Sequence, residues 1–161
     1  MFTIKRTILL PAFLMSFALN AQILLRPDKV FDGMEMQSEW VVLVRNSTIE
    51  YAGPADGLNP PSGTEVIDLS GMTLMPGLIE GHSHLLLHPY NETPWNDQVL
   101  KESPAERAIR GAVHAQKSLM AGITTMRDLG SEGAGYTDVA LKKTIEEGIV
   151  PGPRLLVAGP A

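Results

Sequence analysis

The chain has 161 residues, 44% of them hydrophobic, and a formal net charge of −5. That length suffices for one ordinary domain with a core but is too short for a complete large barrel enzyme. The modest charge and the lack of a basic block give no indication of nucleic acid or an anionic membrane surface as a partner. With no cysteine, the chain excludes disulfides, zinc fingers, iron–sulfur clusters and thiol catalysis. Any metal must be bound by His, Asp, Glu or a modified Lys.

The first 21 residues have the layout of a secretory signal peptide. Lys5 and Arg6 precede an apolar run over residues 8–19, and Ala21 is a small residue at a plausible cleavage point. The run is shorter than the roughly 20 apolar residues that span a bilayer. The sequence therefore predicts an exported, periplasmic or extracellular protein with no transmembrane segment in the mature chain. An uncleaved anchor and a buried helix are the alternatives.

Residues 22–75 are typical of short strands joined by turns. Residues 41–44 are apolar and mostly β-branched, Asn46 and Ser47 predict a turn, and residues 48–52 and 64–69 predict further strands. A β-rich segment of this size buries little surface by itself. We expect it to pack against a partner from elsewhere in the chain.

The pattern changes at Pro76. Residues 78–87 predict a strand, and the polar residues 88–101 predict a long loop. Ser103, Pro104 and Glu106 then form the start signal of a helix, and Gly122 is a typical end signal.

Within this first helix, an apolar stripe through Ile109, Ala112 and Leu119 is expected to face the core. His114 would then lie on the outer, solvated face. A strand over residues 123–126, a helix over 137–147 and a strand over 154–158 complete the series. Such alternation predicts an α/β fold with a parallel sheet and crossover helices. Three strands cannot close an eight-stranded barrel, so a small open α/β domain is the alternative.

His82 and His84 are the candidate metal ligands. Residues two apart on a strand point to the same face, so one cation can bridge both imidazoles, which are common nitrogen donors. Taken alone, a His-x-His pair is more often a surface pair than a ligand pair. Here the pair lies near the carboxyl end of a βα strand, where parallel barrels carry their chemistry. An unpaired ring in this apolar run would also cost about 1–3 kcal/mol.

Several segments together resemble one known group of enzymes. Residues 74–85 (Leu-Met-Pro-Gly-Leu-Ile-Glu-Gly-His-Ser-His-Leu) closely resemble the Pro-Gly-Leu-Ile-Asp-x-His-x-His segment of the amidohydrolase superfamily. Residues 121–130 (Ala-Gly-Ile-Thr-Thr-Met-Arg-Asp-Leu-Gly) look like a signature of its imidazolonepropionase-like and Xaa-Pro-dipeptidase-like branch. Glu80 stands where that branch usually has Asp. Further similar segments lie at residues 30–33, 148–154 and 159–161.

The resemblance implies a (β/α)8 barrel with a small β-sandwich built from both chain ends. Residues 22–75 would belong to the sandwich, and residues 76–161 would be a truncated first βαβαβ portion of the barrel. It also implies a site for one or two divalent ions, commonly zinc, in which His82 and His84 are ligands. Metal-activated water would cleave a C–N bond in an amide, a cyclic amide or an Xaa-Pro dipeptide. The substrate would be a small molecule or dipeptide, and a homo-oligomer is compatible with the resemblance.

The family's remaining ligands and its proton shuttle come from later strands, beyond Ala161. We therefore expect no catalytic residue within these 161 residues, which would be inactive alone. A non-catalytic secreted binding module, or a broken gene product, is the alternative function.

His88, Arg127 and Asp128 are candidates for substrate contact because they lie at the same predicted edge of the sheet. A solvated loop histidine is the alternative for His88, and a mutual ion pair or a loop-fixing hydrogen bond is the alternative for Arg127 and Asp128. The glycine-rich residues 130–135 lack the motif of a phosphate-binding loop and predict a mobile βα loop.

Overall fold

A computed structural model describes residues 22–160 of the chain. The predicted signal peptide, residues 1–21, lies outside the described residues. The chain divides into two compact units between Met75 and Pro76. Among residues 22–160, no helix combines the length and the apolar character needed to cross a membrane.

The first unit is one β-sheet. Its five strands are β1 (Gln22–Phe31), β2 (Met36–Ser38), β3 (Trp40–Arg45), β4 (Thr48–Pro54) and β5 (Glu65–Leu74). The sheet order is β2-β1-β3-β4, and β5 also pairs with β1, in parallel. The predicted hairpin is confirmed as β3 and β4, with Asn46 at φ 55° in the turn. Leu24, Val41 and Leu43 form the buried core of this unit.

The second unit alternates strands and helices as predicted. Its elements are β6 (Leu78–Ser83), α1 (Trp95–Leu100), α2 (Pro104–Met120), β7 (Ile123–Asp128), α3 (Thr137–Glu146) and β8 (Arg154–Val157). The three strands form a parallel sheet in the order β6-β7-β8. Its core cluster includes Leu86, Ala115, Met126, Leu141 and Leu155.

Local signals define the ends of α2. The hydroxyl of Ser103 accepts a hydrogen bond of 3.2 Å from the backbone N–H of Glu106, and Pro104 occupies the first turn. Gly122 follows the helix at φ +93°, a left-handed conformation that glycine adopts without a steric penalty. Both predicted boundaries of this helix are confirmed.

The strand predicted over residues 78–87 is too long. β6 ends at Ser83, and a turn follows in which the backbone N–H of Leu87 donates to the carbonyl of His84 at 3.1 Å. Leu85, Leu86 and Leu87 are buried in this turn. These three leucines are apolar because the turn is buried in the core. A run of apolar residues is equally typical of a buried strand, so the sequence pattern does not distinguish the two.

The loop predicted over residues 88–101 contains the short helix α1, which the sequence analysis missed. Gln98 of this helix is fully buried. Its side-chain amide accepts a hydrogen bond from the backbone N–H of His88 at 2.6 Å and donates to the carbonyl of Thr93 at 2.7 Å. The buried amide of Gln98 therefore holds this segment in place. Most of the other residues of the segment are polar, which is why the sequence predicted a loop.

The predicted buried face of α2 is wrong at Ile109, which is 71% exposed. Ala112 packs against the core and Leu119 is half-buried, as predicted, whereas the fully buried positions are Arg107, Gly111 and Ala115. The packing is close at Gly111, where a Cβ would lie 2.7 Å from Cδ2 of Leu86. The absence of a side chain at Gly111 allows this contact.

Candidate metal site at the carboxyl end of the parallel sheet

The two candidate ligands are neighbours. His82 lies on β6 and is exposed, and His84 follows the strand and is half-buried. Their ring centroids are 5.6 Å apart with an angle of 66° between the ring planes. Two imidazoles on one tetrahedral zinc, with Zn–N bonds of about 2.0–2.1 Å, would have centroids about 5 Å apart. The observed spacing fits two ligands of one ion.

One atom of the pair has no partner. Nδ1 of His84 is buried, and no hydrogen bond reaches it from the residues that the structure describes. The nearest carboxylate oxygen, Oε1 of Glu132, is 3.6 Å away, which is too far for a hydrogen bond. A buried polar atom without a partner is unfavourable and therefore rare, and such atoms are found where a ligand or a moving group completes the site.

Asp128 fixes the turn that carries His84. This carboxylate is 1% exposed; Oδ2 accepts a hydrogen bond of 2.8 Å from the backbone N–H of Leu85, and Oδ1 accepts one of 3.2 Å from Gly130. Burial raises the pKa of Asp128, while these two hydrogen bonds act in the opposite direction. The geometry of Asp128 is that of a loop-fixing residue.

Arg127 contacts the neighbouring strand β6. Its side chain is exposed, and Nε donates a hydrogen bond of 2.8 Å to the carbonyl of Gly81, between β7 and β6. No ion pair joins Arg127 to Asp128 within the described residues. The alternative of a mutual ion pair is therefore wrong. Loop-fixing hydrogen bonds are observed for Asp128, whereas Arg127 joins two neighbouring strands.

Arg107 was not predicted from the sequence to be a residue of the site. This side chain is 1% exposed, and in the loop after β7 its guanidinium donates to the carbonyls of Ser131 at 2.6 Å and Glu132 at 2.7 Å. A longer contact of 3.4 Å reaches the carbonyl of Leu86. Burial lowers the pKa of Arg107. The available signal was its spacing of four residues from Gly111 on the small-residue face of α2.

The glycine-rich loop after β7 is fastened at several points. Besides the contacts of Arg107 and Asp128, the backbone N–H of Ser131 donates to the carbonyl of Gly159 at 3.1 Å. Asp138 at the start of α3 is buried and accepts a hydrogen bond of 2.8 Å from the backbone N–H of Gly159. These hydrogen bonds anchor the start of the loop, residues 130–132, and the mobility of residues 130–135 stays a prediction.

His88 lies beside a concave surface with a volume of about 460 Å³, which is also lined by His84, Leu87 and His114. The ring centroids of His88 and His114 are 5.9 Å apart. His114 was predicted to lie on the outer face of α2, and this is wrong: it is half-buried, and Nδ1 is 3.0 Å from the carbonyl of Leu85. Burial lowers the pKa of His114.

The described residues contain no complete metal site. Within residues 22–160, no cluster of three or more His, Asp or Glu side chains is arranged to hold an ion. Catalytic zinc sites usually have three protein ligands and an open position. His82 and His84 therefore fit as part of a ligand set.

Comparisons with known proteins place this geometry in a family. The model of the Amidohydrolase family matches residues 73–161. A 5-methylthioadenosine/S-adenosylhomocysteine deaminase from Symbiobacterium thermophilum is 34% identical over 133 residues, which cover 75% of this chain and 30% of the relative.

Solved structures agree with that match. A crystal structure of an Xaa-Pro dipeptidase with methionine bound in its active site has a TM-score of 0.73 and 25% identity, covering 88% of this chain and 34% of that one. A prolidase complexed with N-methylphosphonate-L-proline has a TM-score of 0.69 and 26% identity, covering 86% of this chain and 32% of that one. The chain spans about a third of the length of these proteins.

These similarities confirm the predicted fold class. The chain is α/β, and its parallel sheet with α2 and α3 corresponds to the opening part of a (β/α)8 barrel, preceded by part of a small β domain. The family match covers more than half of the chain, including the His82–His84 segment. The chain belongs to the Amidohydrolase family.

Proposed function

We propose that this chain supplies His82 and His84 as metal ligands of a hydrolase that cleaves a C–N bond. The observation that carries the proposal is the pair of adjacent imidazoles at the carboxyl end of β6, whose ring centroids are 5.6 Å apart. One or two divalent ions, zinc being the commonest in such sites, would supply an activated water and a Lewis acid for the scissile carbonyl. The remaining ligands and the proton-transfer group would come from residues beyond Ala161.

The substrate is proposed to be a small molecule: an amide, a cyclic amide or an Xaa-Pro dipeptide. Support comes from the dipeptidase with bound methionine and the prolidase with bound N-methylphosphonate-L-proline. His88 borders the concave surface beside His84, which favours a substrate contact for this residue. Asp128 is buried with both oxygens engaged by backbone N–H groups, which favours a positioning role.

We further propose that residues 22–75 belong to a composite β-sandwich domain and that residues 76–161 form the first βαβαβ portion of the barrel. Residues 1–21 would direct export, to the periplasm or the exterior, and then be removed. A polypeptide ending at Ala161 would be inactive, because two imidazoles do not complete a catalytic site. A homo-oligomer remains a prediction.

Metal analysis of the natural full-length protein tests the proposal. We expect at least one bound divalent ion per chain, and a loss of at least one ion in His82→Ala and in His84→Ala. His88→Ala is the matched control, since it removes a nearby imidazole outside the proposed ligand pair. Unchanged metal content in both ligand variants would contradict the assignment of the ligands.

The alternative, a non-catalytic binding module, makes a different prediction. The full-length wild-type protein would then hold no divalent ion and would show no hydrolysis across a panel of Xaa-Pro dipeptides and cyclic amides. Hydrolysis that disappears with a chelator and returns with zinc supports the enzyme.

A further inference from the structure

We propose that Glu132 is a positioning residue for His84, which it orients by accepting a hydrogen bond from Nδ1. The inference rests on the proposed function, because it takes His84 as a metal ligand. Glu132 lies in the loop after β7, and no feature of the sequence linked it to the histidine pair.

The two side chains face each other in a partly buried space. Oε1 of Glu132 is 3.6 Å from Nδ1 of His84, and the side chains are 26% and 22% exposed, respectively. Nδ1 has no other partner among the described residues. A shift of less than one ångström would bring the two atoms within hydrogen-bond distance, for which the usual limit is about 3.2 Å.

The carboxylate of Glu132 is held from the other side. Its second oxygen, Oε2, accepts a hydrogen bond of 3.1 Å from the indole Nε1 of Trp95 on α1. The indole N–H is a donor only, so it orients the carboxylate and cannot compete for the proton of His84. Oε1 is thereby directed at the imidazole.

The backbone of Glu132 is fixed as well. Its φ of 49° lies in the left-handed region, which is unfavourable for a glutamate and is retained only where the surroundings impose it. Arg107 donates to the carbonyls of Glu132 and of the preceding Ser131, so two hydrogen bonds hold the backbone here. Contacts from α2 to the backbone and from α1 to the side chain therefore fix Glu132 with its carboxylate beside His84.

The chemical consequence concerns the tautomer of His84. A neutral imidazole that donates Nδ1–H to a carboxylate presents the lone pair of Nε2 to a metal. Metal-binding histidines usually donate their other N–H in this way, and loss of the acceptor typically reduces metal affinity by about 10–100-fold. Trp95 and Glu132 would then form a chain of hydrogen bonds that ends at the ligand.

The test measures metal affinity in the natural full-length protein, by competition between zinc and a chromophoric chelator. We expect Glu132→Ala to raise the zinc Kd by about 10–100-fold. Glu132→Gln should have a smaller effect, because its amide oxygen can still accept from Nδ1. Trp95→Phe should raise the Kd by less than Glu132→Ala, because it frees the carboxylate without removing it.

Glu92→Gln is the matched control. Glu92 also lies beside a histidine, with Oε2 at 3.9 Å from Nδ1 of His88, but outside the proposed ligand pair. We expect its zinc Kd to be that of the wild type. Glu132→Gln is close to isosteric, so it keeps the test open if Glu132→Ala does not fold.

Failure of this inference is distinct from failure of the proposed function. If His84→Ala leaves the zinc Kd unchanged, the proposed ligand is wrong and so is its orientation by Glu132. If His84→Ala weakens zinc binding while both Glu132 variants bind like the wild type, only the positioning role is wrong. A cobalt(II)-substituted Glu132→Ala protein whose spectrum shows a lost oxygen ligand would identify Glu132 as a direct ligand and would likewise overturn the positioning role.

A double-mutant cycle gives the sharpest result. Because Glu132 acts through His84, adding Glu132→Ala to His84→Ala should weaken zinc binding no further. An additive loss would mean that Glu132 acts on the metal independently of His84.

Discussion

The carboxylate of Asp128, at the end of β7, accepts a hydrogen bond of 2.8 Å from the backbone N–H of Leu85, the residue after His84. The contact spans 43 positions of sequence and is buried. It couples the conformation of the turn that follows β6 to the neighbouring strand. The backbone next to His84 is therefore held by a residue of the neighbouring strand.

Replacement of Asp128 should destabilise the second unit. Asp128→Ala leaves two buried backbone N–H groups without an acceptor, and each unsatisfied group costs about 1–3 kcal/mol, so we expect a loss of roughly 2–6 kcal/mol in the free energy of unfolding. Asp128→Asn retains one acceptor oxygen and should lose less. Urea unfolding of the full-length protein measures the difference. Glu146→Ala, at a largely exposed position on α3, is the control and should change stability by about 0.5 kcal/mol or less. An equally small effect of Asp128→Ala would show that the turn does not depend on this carboxylate.

Gly77 should not tolerate a side chain. A Cβ at this position would lie 2.1 Å from Oγ1 and 2.7 Å from Cβ of Thr124, so Gly77→Ala must displace one of the strands. We expect Gly77→Ala to destabilise by about 1–3 kcal/mol, the usual range for overpacking. Gly81→Ala is the control, since a Cβ there meets nothing within 4 Å.

The contact between Gly77 and Thr124 can be isolated by rescue. In a Thr124→Gly background the obstructing atoms are gone, and Gly77→Ala should then have little effect on the unfolding free energy. A full loss in that background would mean that the cause lies elsewhere.

His114 should make stability depend on pH. Burial lowers its folded-state pKa below the ordinary value of 6.5, so the unfolded chain binds the proton more tightly. The unfolding free energy should therefore fall as pH drops below about 6.5 and should be unaffected by this group well above that value. His114→Gln should reduce this dependence between about pH 7.5 and 5.5. An NMR titration in which the His114 ring protonates at the same pH in the folded and the urea-unfolded protein would contradict it.

Arg107 should hold together the turn after β6 and the loop after β7. Arg107→Met removes the donors to the carbonyls of Ser131 and Glu132, and with about 1–3 kcal/mol for each unsatisfied group we expect a loss of roughly 2–6 kcal/mol in the free energy of unfolding. Amide hydrogen exchange in residues 131–136 should accelerate. Arg107→Lys keeps one donor group and should recover part of the loss. The exposed Arg154 on β8 provides the control variant Arg154→Met. Unchanged exchange in the loop of Arg107→Met would exclude the role.

Local signals made part of the fold predictable. Ser103, Pro104 and Gly122 identified both ends of α2 because caps act on the nearest backbone groups and need no distant partner. The strand prediction likewise placed His82 next to His84, although His84 lies one residue beyond the end of β6. These inferences depend on geometry within a few residues.

The supporting residues of the site were not predictable in that way. Trp95 and Glu132 are 37 positions apart, and Arg107 meets Ser131 across 24 positions. Nothing in the sequence around a tryptophan or an arginine indicates a partner at that distance. The burial of Arg107 also runs against the general tendency of arginine to be exposed, so only the folded arrangement reveals it.

The side chains of Arg107 and Asp128 and the backbone of Ser131 and Gly159 join the starts of three successive loops. The groups that they join are backbone N–H and carbonyl groups, so the outward side chains of these loops can change while Arg107 and Asp128 keep the loop backbone in one shape. An insertion at residues 84–87 or 131–132 would break these hydrogen bonds. Residues 89–92 make no such buried hydrogen bonds, so an insertion there would leave them intact. Divergence in substrate preference within this part of the family would therefore be expected to concentrate in that short stretch and in outward-facing side chains.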